Sequence, residues 1–346
     1  MNNWKKTWLR VSRFEYWPFN VLYFPVFFVF LWQMVRSRAV FFFTSANPSL
    51  DFGGMLGESK SDIYDLIPPH YLPVTQRFPS GTTADEIAGF VRAKGLRYPF
   101  ILKPNIGERG WMVERINDER QLEDYLQKIR VPFLLQEFVD YPIELGVFYV
   151  RRPHEPNGRV TSIVQKGFLS VVGDGTSTVK MLLEKNSRAL LTFDFDSAFY
   201  RDLLRTIPQK GEKRIIEGIG NHCRGTTFLN AAREIDEKIN RVFDALSKQI
   251  PEFYFGRYDL RCASFEDLRK GENFKIVELN GAGAEPGHIY QPGYPLWKAY
   301  RDIIWHLQKL GQISRENQLR GHTSWPLRKG LQKIREIRHY NQMKAK

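Results

Sequence analysis

Three features of the sequence predict a mixed α+β fold behind a hydrophobic N-terminal helix. Short strand-like runs alternate with amphipathic helices from about residue 80 to residue 310. Two of these runs, 255–261 and 274–280, alternate roughly polar and apolar residues across a polar turn, as paired half-buried strands do. Ahead of them lies an apolar run from Val21 to Val35, interrupted only by Gln33.

Residues 1–43 read as a membrane anchor. Trp4 and Trp8 stand among Lys5, Lys6, Arg10 and Arg13, and Arg36 and Arg38 follow the apolar run. That run is shorter than the roughly 20 residues that cross a bilayer comfortably. Pro25 would bend a helix there. A re-entrant or interfacial anchor is expected, with a short transmembrane span or a buried core helix as alternatives. Basic residues on both flanks place both ends on the cytoplasmic side. The absence of a small-residue cleavage site argues against a signal peptide. Residues 44–79 are rich in Gly and Pro turns and read as a connector or reduced first domain. In them Ser61 is a possible N-cap for a short helix to Leu66, and Lys60 reads as solvated.

The body, 80–310, is expected as two parts, about 80–165 and 166–310. Helices are expected over 83–94, 118–129, 179–186, 189–211 and 235–249, with a final one over 296–310. Strands are expected over 100–104, 111–113, 133–139, 143–150 and 160–172. A basic tail, 311–346, closes the chain.

The chain has 346 residues and a net charge of +13. That charge suits an anionic partner: nucleic acid, an anionic membrane surface or a phosphorylated substrate. No nucleic-acid motif is present, which favours the membrane. Only Cys223 and Cys262 occur, without CxxC spacing. A disulfide framework and a structural zinc site are therefore disfavoured, and a reducing cytosol is expected.

The chemistry collects around the two paired strands. Asp259, Glu278 and Asn280 supply hard oxygens suited to Mg²⁺. Glu278 and Asn280, two apart, leave their strand on one face, and Arg257 shares a face with Asp259. Upstream, Lys103 ends a strand before the glycine turn Gly107–Gly110, Lys166 stands on a later strand, and 173–178 is a small-residue loop. Each is a possible phosphate contact, although neither a P-loop nor a G-x-G-x-x-G is present.

In this order the residues Ile101-Leu102-Lys103-Pro104, Leu135-Gln136-Glu137-Phe138-Val139, Glu144, Lys166, Gly173 to Val179, Arg257-Tyr258-Asp259 and Glu278-Leu279-Asn280 resemble the ATP-grasp superfamily. The resemblance is to its D-alanine–D-alanine ligase and cyanophycin-synthetase-like branches and covers about residues 80 to 310. It implies ATP held between two α+β subdomains. Lys103 and Lys166 would contact phosphates, with the loop of Gly173, Gly175, Thr176 and Ser177 folding over them. Gln136, Glu137, Phe138 and Val139 would meet adenine through their backbone, and Glu144 would hold the ribose. Asp259, Glu278 and Asn280 would bind Mg²⁺, or Mn²⁺ in its place. Arg257 would stabilise charge during transfer, and Arg224, in the loop 221–227, would bind an acylphosphate or a carboxylate.

The implied activity is an ATP-dependent carboxylate–amine ligase at the cytosolic membrane surface. Its substrates would be a small acid and an amine, the anchor suggesting that one is amphipathic or lipid-linked, without nucleic acid. The alternatives are an ATP-grasp kinase and a nucleotide-binding membrane protein without ligase activity. The usual N-terminal ligase domain is replaced here by the anchor and connector, so substrates do not carry over. In the loop after Asn280, Glu285 and His288 would contact an amine or cap a turn.

Overall fold

The computed structural model describes residues 3–107, 110–197, 200–216 and 225–344. The chain opens with helix α1 (Asn3–Ser12), a single turn, and helix α2 (Phe19–Ser37), which carries Pro25 inside it. Leu22, Val26, Gln33 and Ser37 form the buried stripe of α2. Phe24, Phe27, Phe28, Leu31, Trp32 and Val35 are exposed on its other side. A knot of rings follows, with Phe41, Phe42, Phe43 and Phe52 buried together. Helix α3 (Lys60–Tyr64) is capped by Ser59, whose hydroxyl accepts from the Asp62 amide; the expected cap, Ser61, is already inside the helix.

Strands β1 (Thr75–Phe78), β2 (Phe100–Pro104), β3 (Glu114–Ile116) and β4 (Phe133–Glu137) form a small antiparallel sheet in the order β1-β4-β2-β3. The third strand starts after the expected 111–113, which is a turn with Met112 at positive φ. Helices α4 (Ala84–Ala93) and α5 (Glu119–Lys128) bury Ile87, Leu122 and Tyr125 against Phe100, Leu102 and Phe133. Thr83 and Glu86 close a capping box at the start of α4.

A larger antiparallel sheet contains β5 (Ile143–Val150), β6 (Arg159–Gly167), β9 (Thr227–Asn230), β10 (Phe255–Cys262) and β11 (Phe274–Asn280), in the order β11-β10-β5-β6-β9. The expected strand 160–172 is broken at Gly167, and its second part, β7 (Ser170–Val172), forms a ribbon with β8 (Lys213–Ile215). Three short helices sit by this ribbon: α6 (Val179–Glu184), α7 (Ser187–Thr192) and α8 (Arg201–Arg205). The first matches the helix expected over 179–186, and the other two take the place of the continuous helix expected over 189–211.

Side chains of the large sheet alternate between two faces. Leu145, Val147, Tyr149, Tyr258 and Leu260 pack under helix α9 (Glu237–Gln249) through Ile239, Phe243 and Leu246. The link between β10 and β11, expected as a turn, holds a short helix α10 (Phe265–Lys270), capped by Ser264. The opposite face carries Glu144, Arg257, Asp259 and Lys166 at one end and Phe148 and Phe255 at the other.

Helix α11 (Leu296–Leu319) extends beyond the expected 310, and α12 (Leu327–Lys344) replaces the expected tail. The former lies along α2. Arg315 Nη1 donates to Gln33 Oε1 at 2.8 Å. A Cβ on Gly311 would fall 2.1 Å from that same oxygen, so only glycine admits this approach. The latter crosses from one sheet to the other. Gly330 sits on the Phe41 ring, Ile337 on Gly57, and Tyr340 donates to Ile106 O at 2.8 Å.

Candidate active site

A cavity of about 1580 Å³ lies between the small sheet and the ionic end of the large one. This exceeds the usual range of roughly 300–1,000 Å³ for one small ligand. It leaves room for a nucleotide and a second molecule.

Strand pairing builds the ionic wall. Asp259 lies opposite Glu278 and Arg257 opposite Asn280, and the register slips between Asp259 and Leu260. Arg257 grips Asp259 with two bonds, Nε to Oδ1 at 2.9 Å and Nη2 to Oδ2 at 3.0 Å. Its third nitrogen, Nη1, donates to Glu285 O at 3.2 Å. Gly146 makes space for this fork: a Cβ there would stand 3.1 Å from Asp259 Oδ1 and 3.2 Å from Arg257 Cδ. Lys166 Nζ lies 3.1 Å from Glu144 Oε1 and 3.7 Å from Asp259 Oδ2. Glu144 Oε2 accepts from Arg261 Nε at 3.1 Å.

Burial penalises the charges of Asp259, Lys166 and Arg257, and their neighbours outweigh it. Desolvation would raise the Asp259 carboxyl, yet Arg257 and Lys166 hold it below the usual range. Desolvation would lower Lys166, yet Asp259 and Glu144 raise it. Lys103 differs. Burial pulls its ammonium down to about 8, offset only in part by Glu278. Its Nζ donates to Tyr64 OH, Gln136 Oε1 and Val277 O at 2.8, 2.9 and 3.0 Å. All three partners are neutral, so an anion beside Lys103 gains a charge with no competing carboxylate bonded to it.

Asp259, Glu278 and Asn280 line the same cavity, and two carboxylates with an amide oxygen make a hard-oxygen set that fits Mg²⁺. Asn280 Nδ2 is buried without a hydrogen-bond partner among the described residues, so no bond there fixes which way the amide faces. Cations of the chain balance the acids: Arg257 and Lys166 on Asp259, and Lys60 at 3.7 Å from Glu278.

Lys103, Gln136, Glu137, Phe138, Val139, Glu144, Lys166, Arg257, Asp259, Glu278 and Asn280 therefore all line one cavity. Both oxygens of Glu144 are engaged by cations, and Val139 O accepts from Arg261 Nη1 at 3.0 Å. These bonds occupy groups expected to meet the nucleotide.

Gly173, Gly175, Thr176 and Ser177 stand apart from the cavity wall. Asp174 accepts from the amides of Thr176 and Ser177, folding the loop into a turn ahead of α6. Gly107 and Gly110 line the cavity, whereas Glu108, Arg109 and Arg224 lie outside the described residues.

His288 is buried in a separate cluster with Ser162 and Asp302. Lys60, expected as solvated, donates to Gly107 O at 2.7 Å and lines the cavity. Tyr64 and Arg261 also join the site. Among these residues, only the strand spacing of Arg261 from Arg257 and Asp259 carries a signal in the sequence.

No protein-family model matches this sequence, and no curated protein does. Among solved structures, the chain is similar to D-alanine–D-alanine ligase from Bacillus anthracis, at 14% identity and TM-score 0.39, covering 76% of this chain and 68% of that one. It is similar to carboxyaminoimidazole ribonucleotide synthase from Aspergillus clavatus complexed with ATP, at 13% identity and TM-score 0.40, covering 71% and 51%. It is also similar to a bifunctional glutathione synthetase from Pasteurella multocida, at 12% identity and TM-score 0.34, covering 67% and 34%. The chain thus spans from a third to two thirds of their lengths. At such scores the likeness is to part of the backbone course, and the chemistry of the cavity follows from its own side chains.

Proposed function

We propose that the protein is an ATP- and Mg²⁺-dependent ligase of the ATP-grasp type. It would join a carboxylate to an amine through an acylphosphate at the cytosolic face of a membrane. One observation carries this reading: Asp259, Glu278, Asn280, Arg257, Lys103 and Lys166 converge on one cavity too large for a nucleotide alone.

Phosphoryl transfer asks mainly for positioning and neutralisation of charge. Lys103, bonded only to neutral groups, is suited to a phosphate oxygen. Lys166 is suited to another, its charge kept by Asp259 and Glu144. Mg²⁺ held by Asp259, Glu278 and Asn280 would neutralise phosphate charge. Arg257, whose charge Asp259 holds against the cost of burial, would hold a donor fork beside the transferred group. It would also carry the Glu285 backbone, and with it the loop after Asn280.

The membrane reading is supported by the outer face of α2. That helix is 19 residues long and apolar enough to cross a bilayer. Its inner face is committed to α11, which carries Lys298, Arg301, Lys309 and Arg315. Crossing would drag these charges into hydrocarbon, so α2 would lie in the plane of the surface, its rings inserted.

The test supplies purified protein with Mg²⁺, ATP and a panel of acids and amines, and reads ADP and product mass. An amide with ADP supports the ligase. A phosphorylated product indicates a kinase, and ATP binding without turnover indicates a binding protein. Unchanged turnover in Asp259→Asn would remove the metal assignment.

A further inference from the structure

We infer that the end of the cavity nearest α2 takes a single-chain amphiphilic amine, its chain leaving past Trp17 and Phe19. The inference rests on the ligase reading only for the fate of the amine. Beyond Arg257 the wall changes from ions to rings, with Trp17, Phe19, Leu22, Phe228 and Tyr290 lining it. The acidic groups on that wall are Glu285 and Glu15. Tyr290 OH donates to the two Glu285 oxygens at 3.2 and 3.1 Å, and Tyr23 of α2 bonds the same carboxylate.

Glu15 is 5% exposed, and its Oε1 accepts no hydrogen bond among the described residues. Arg13 and Arg188 stabilise its charge from nearby, against the larger cost of burial. A buried carboxylate oxygen without a donor is costly, and an ammonium brings three donors. A carboxylate head would meet like charge at both acids.

The rings account for the chain. Phe19 is 55% exposed at the mouth and begins the outer face of α2 that continues through Phe24, Phe27 and Phe28. An alkyl chain bound past Phe19 stays on apolar surface all the way to the membrane plane.

Isothermal titration of the full chain without nucleotide tests this, using n-alkylamines and alkyl carboxylates below their micelle concentrations. Over chains of about four to ten carbons, amines should bind about fourfold tighter for each methylene buried. Carboxylates of equal length should bind about tenfold more weakly. Phe19→Ser, which removes the exposed ring stacked on Tyr23 at 4.3 Å, should flatten the chain-length dependence. Phe28→Ser, on α2 but away from the cavity, should keep it. A flat series in the intact chain, carboxylates binding as well as amines, or a slope lost in Phe28→Ser and kept in Phe19→Ser would each overturn the inference.

Repeating the series with Mg²⁺, ATP and acid separates the two readings. ADP release indifferent to chain length removes the amphiphile and keeps the ligase. Chain-dependent binding with no ADP under any condition keeps the amphiphile site and removes the ligase.

Discussion

On the half of the large sheet that carries Asp259, buried groups keep their charge, whereas on the half under α11 His306 gives its charge up. In both halves these side chains are largely buried. In the first, signs alternate from Arg257 to Asp259, Lys166, Glu144 and Arg261, so each ion meets an opposite one within about 3–4 Å. In the second, His306 is packed against the rings of Phe148, Phe255 and Trp305. Its Nδ1–H donates to Asp302 O at 2.7 Å and its Nε2 faces Thr161 Oγ1 at 2.9 Å. Burial pushes the imidazole down to about 4. Partners rather than depth decide which groups stay ionised, and only the half that keeps its ions is equipped to meet a phosphate.

The strongest way to break this contrast is Asp259→Ala. It strands Arg257 and Lys166 without their shared partner, which should cost about 3–5 kcal/mol in urea unfolding. Asp259→Asn keeps the shape and should cost less, with Mg²⁺-dependent turnover lost in both. The next effect lies on the neutral half. His306 binds its proton near pH 4 when folded and near its ordinary 6.5 when unfolded, so the unfolded chain takes up more protons between these values. Stability should therefore fall as pH drops from 6.5 to about 4, by about 3 kcal/mol at 1.36 kcal/mol per unit. Urea midpoints for the intact chain and His306→Gln should show this loss only where the imidazole is present.

Lys166→Met leaves Asp259 with Arg257 and Glu144 with Arg261, so it should destabilise by only about 1.5–3 kcal/mol. Nucleotide affinity, read by titration with ATP and Mg²⁺, should fall alongside. Thr161→Val removes one hydroxyl from His306 and should cost about 1 kcal/mol in urea unfolding.

Much of the ionic half was legible because strand period puts every second residue on one face. Arg257, Asp259 and Arg261 share a face by counting, as do Glu278 and Asn280, and the pairing of the two strands follows from their nearness in sequence. What crossed long distances was not legible. Lys60 finds Gly107, and Tyr64 finds Lys103 and Val277, through contacts between separate elements.

The loop 173–178 was ambiguous for a different reason. Small residues with an Asp describe a phosphate-covering loop and an Asp-capped turn equally well, and Asp174 here closes such a turn. The tail was misread through its charges. Leu327, Leu331, Ile334 and Ile337 recur at helical spacing among the lysines and arginines, and that recurrence marks α12.

The contact of α2 with α11 joins residues made early to residues made late. Gln33 waits for Arg315, 282 positions downstream. At ribosomal speeds of about 5–20 residues per second, that separation is roughly a quarter of a minute to a minute. Throughout that interval the stripe of α2 that packs on α11 is uncovered. If the proposed membrane reading holds, a nascent chain of this kind would meet a bilayer with its ring-rich helix before its own fold has claimed one side of it.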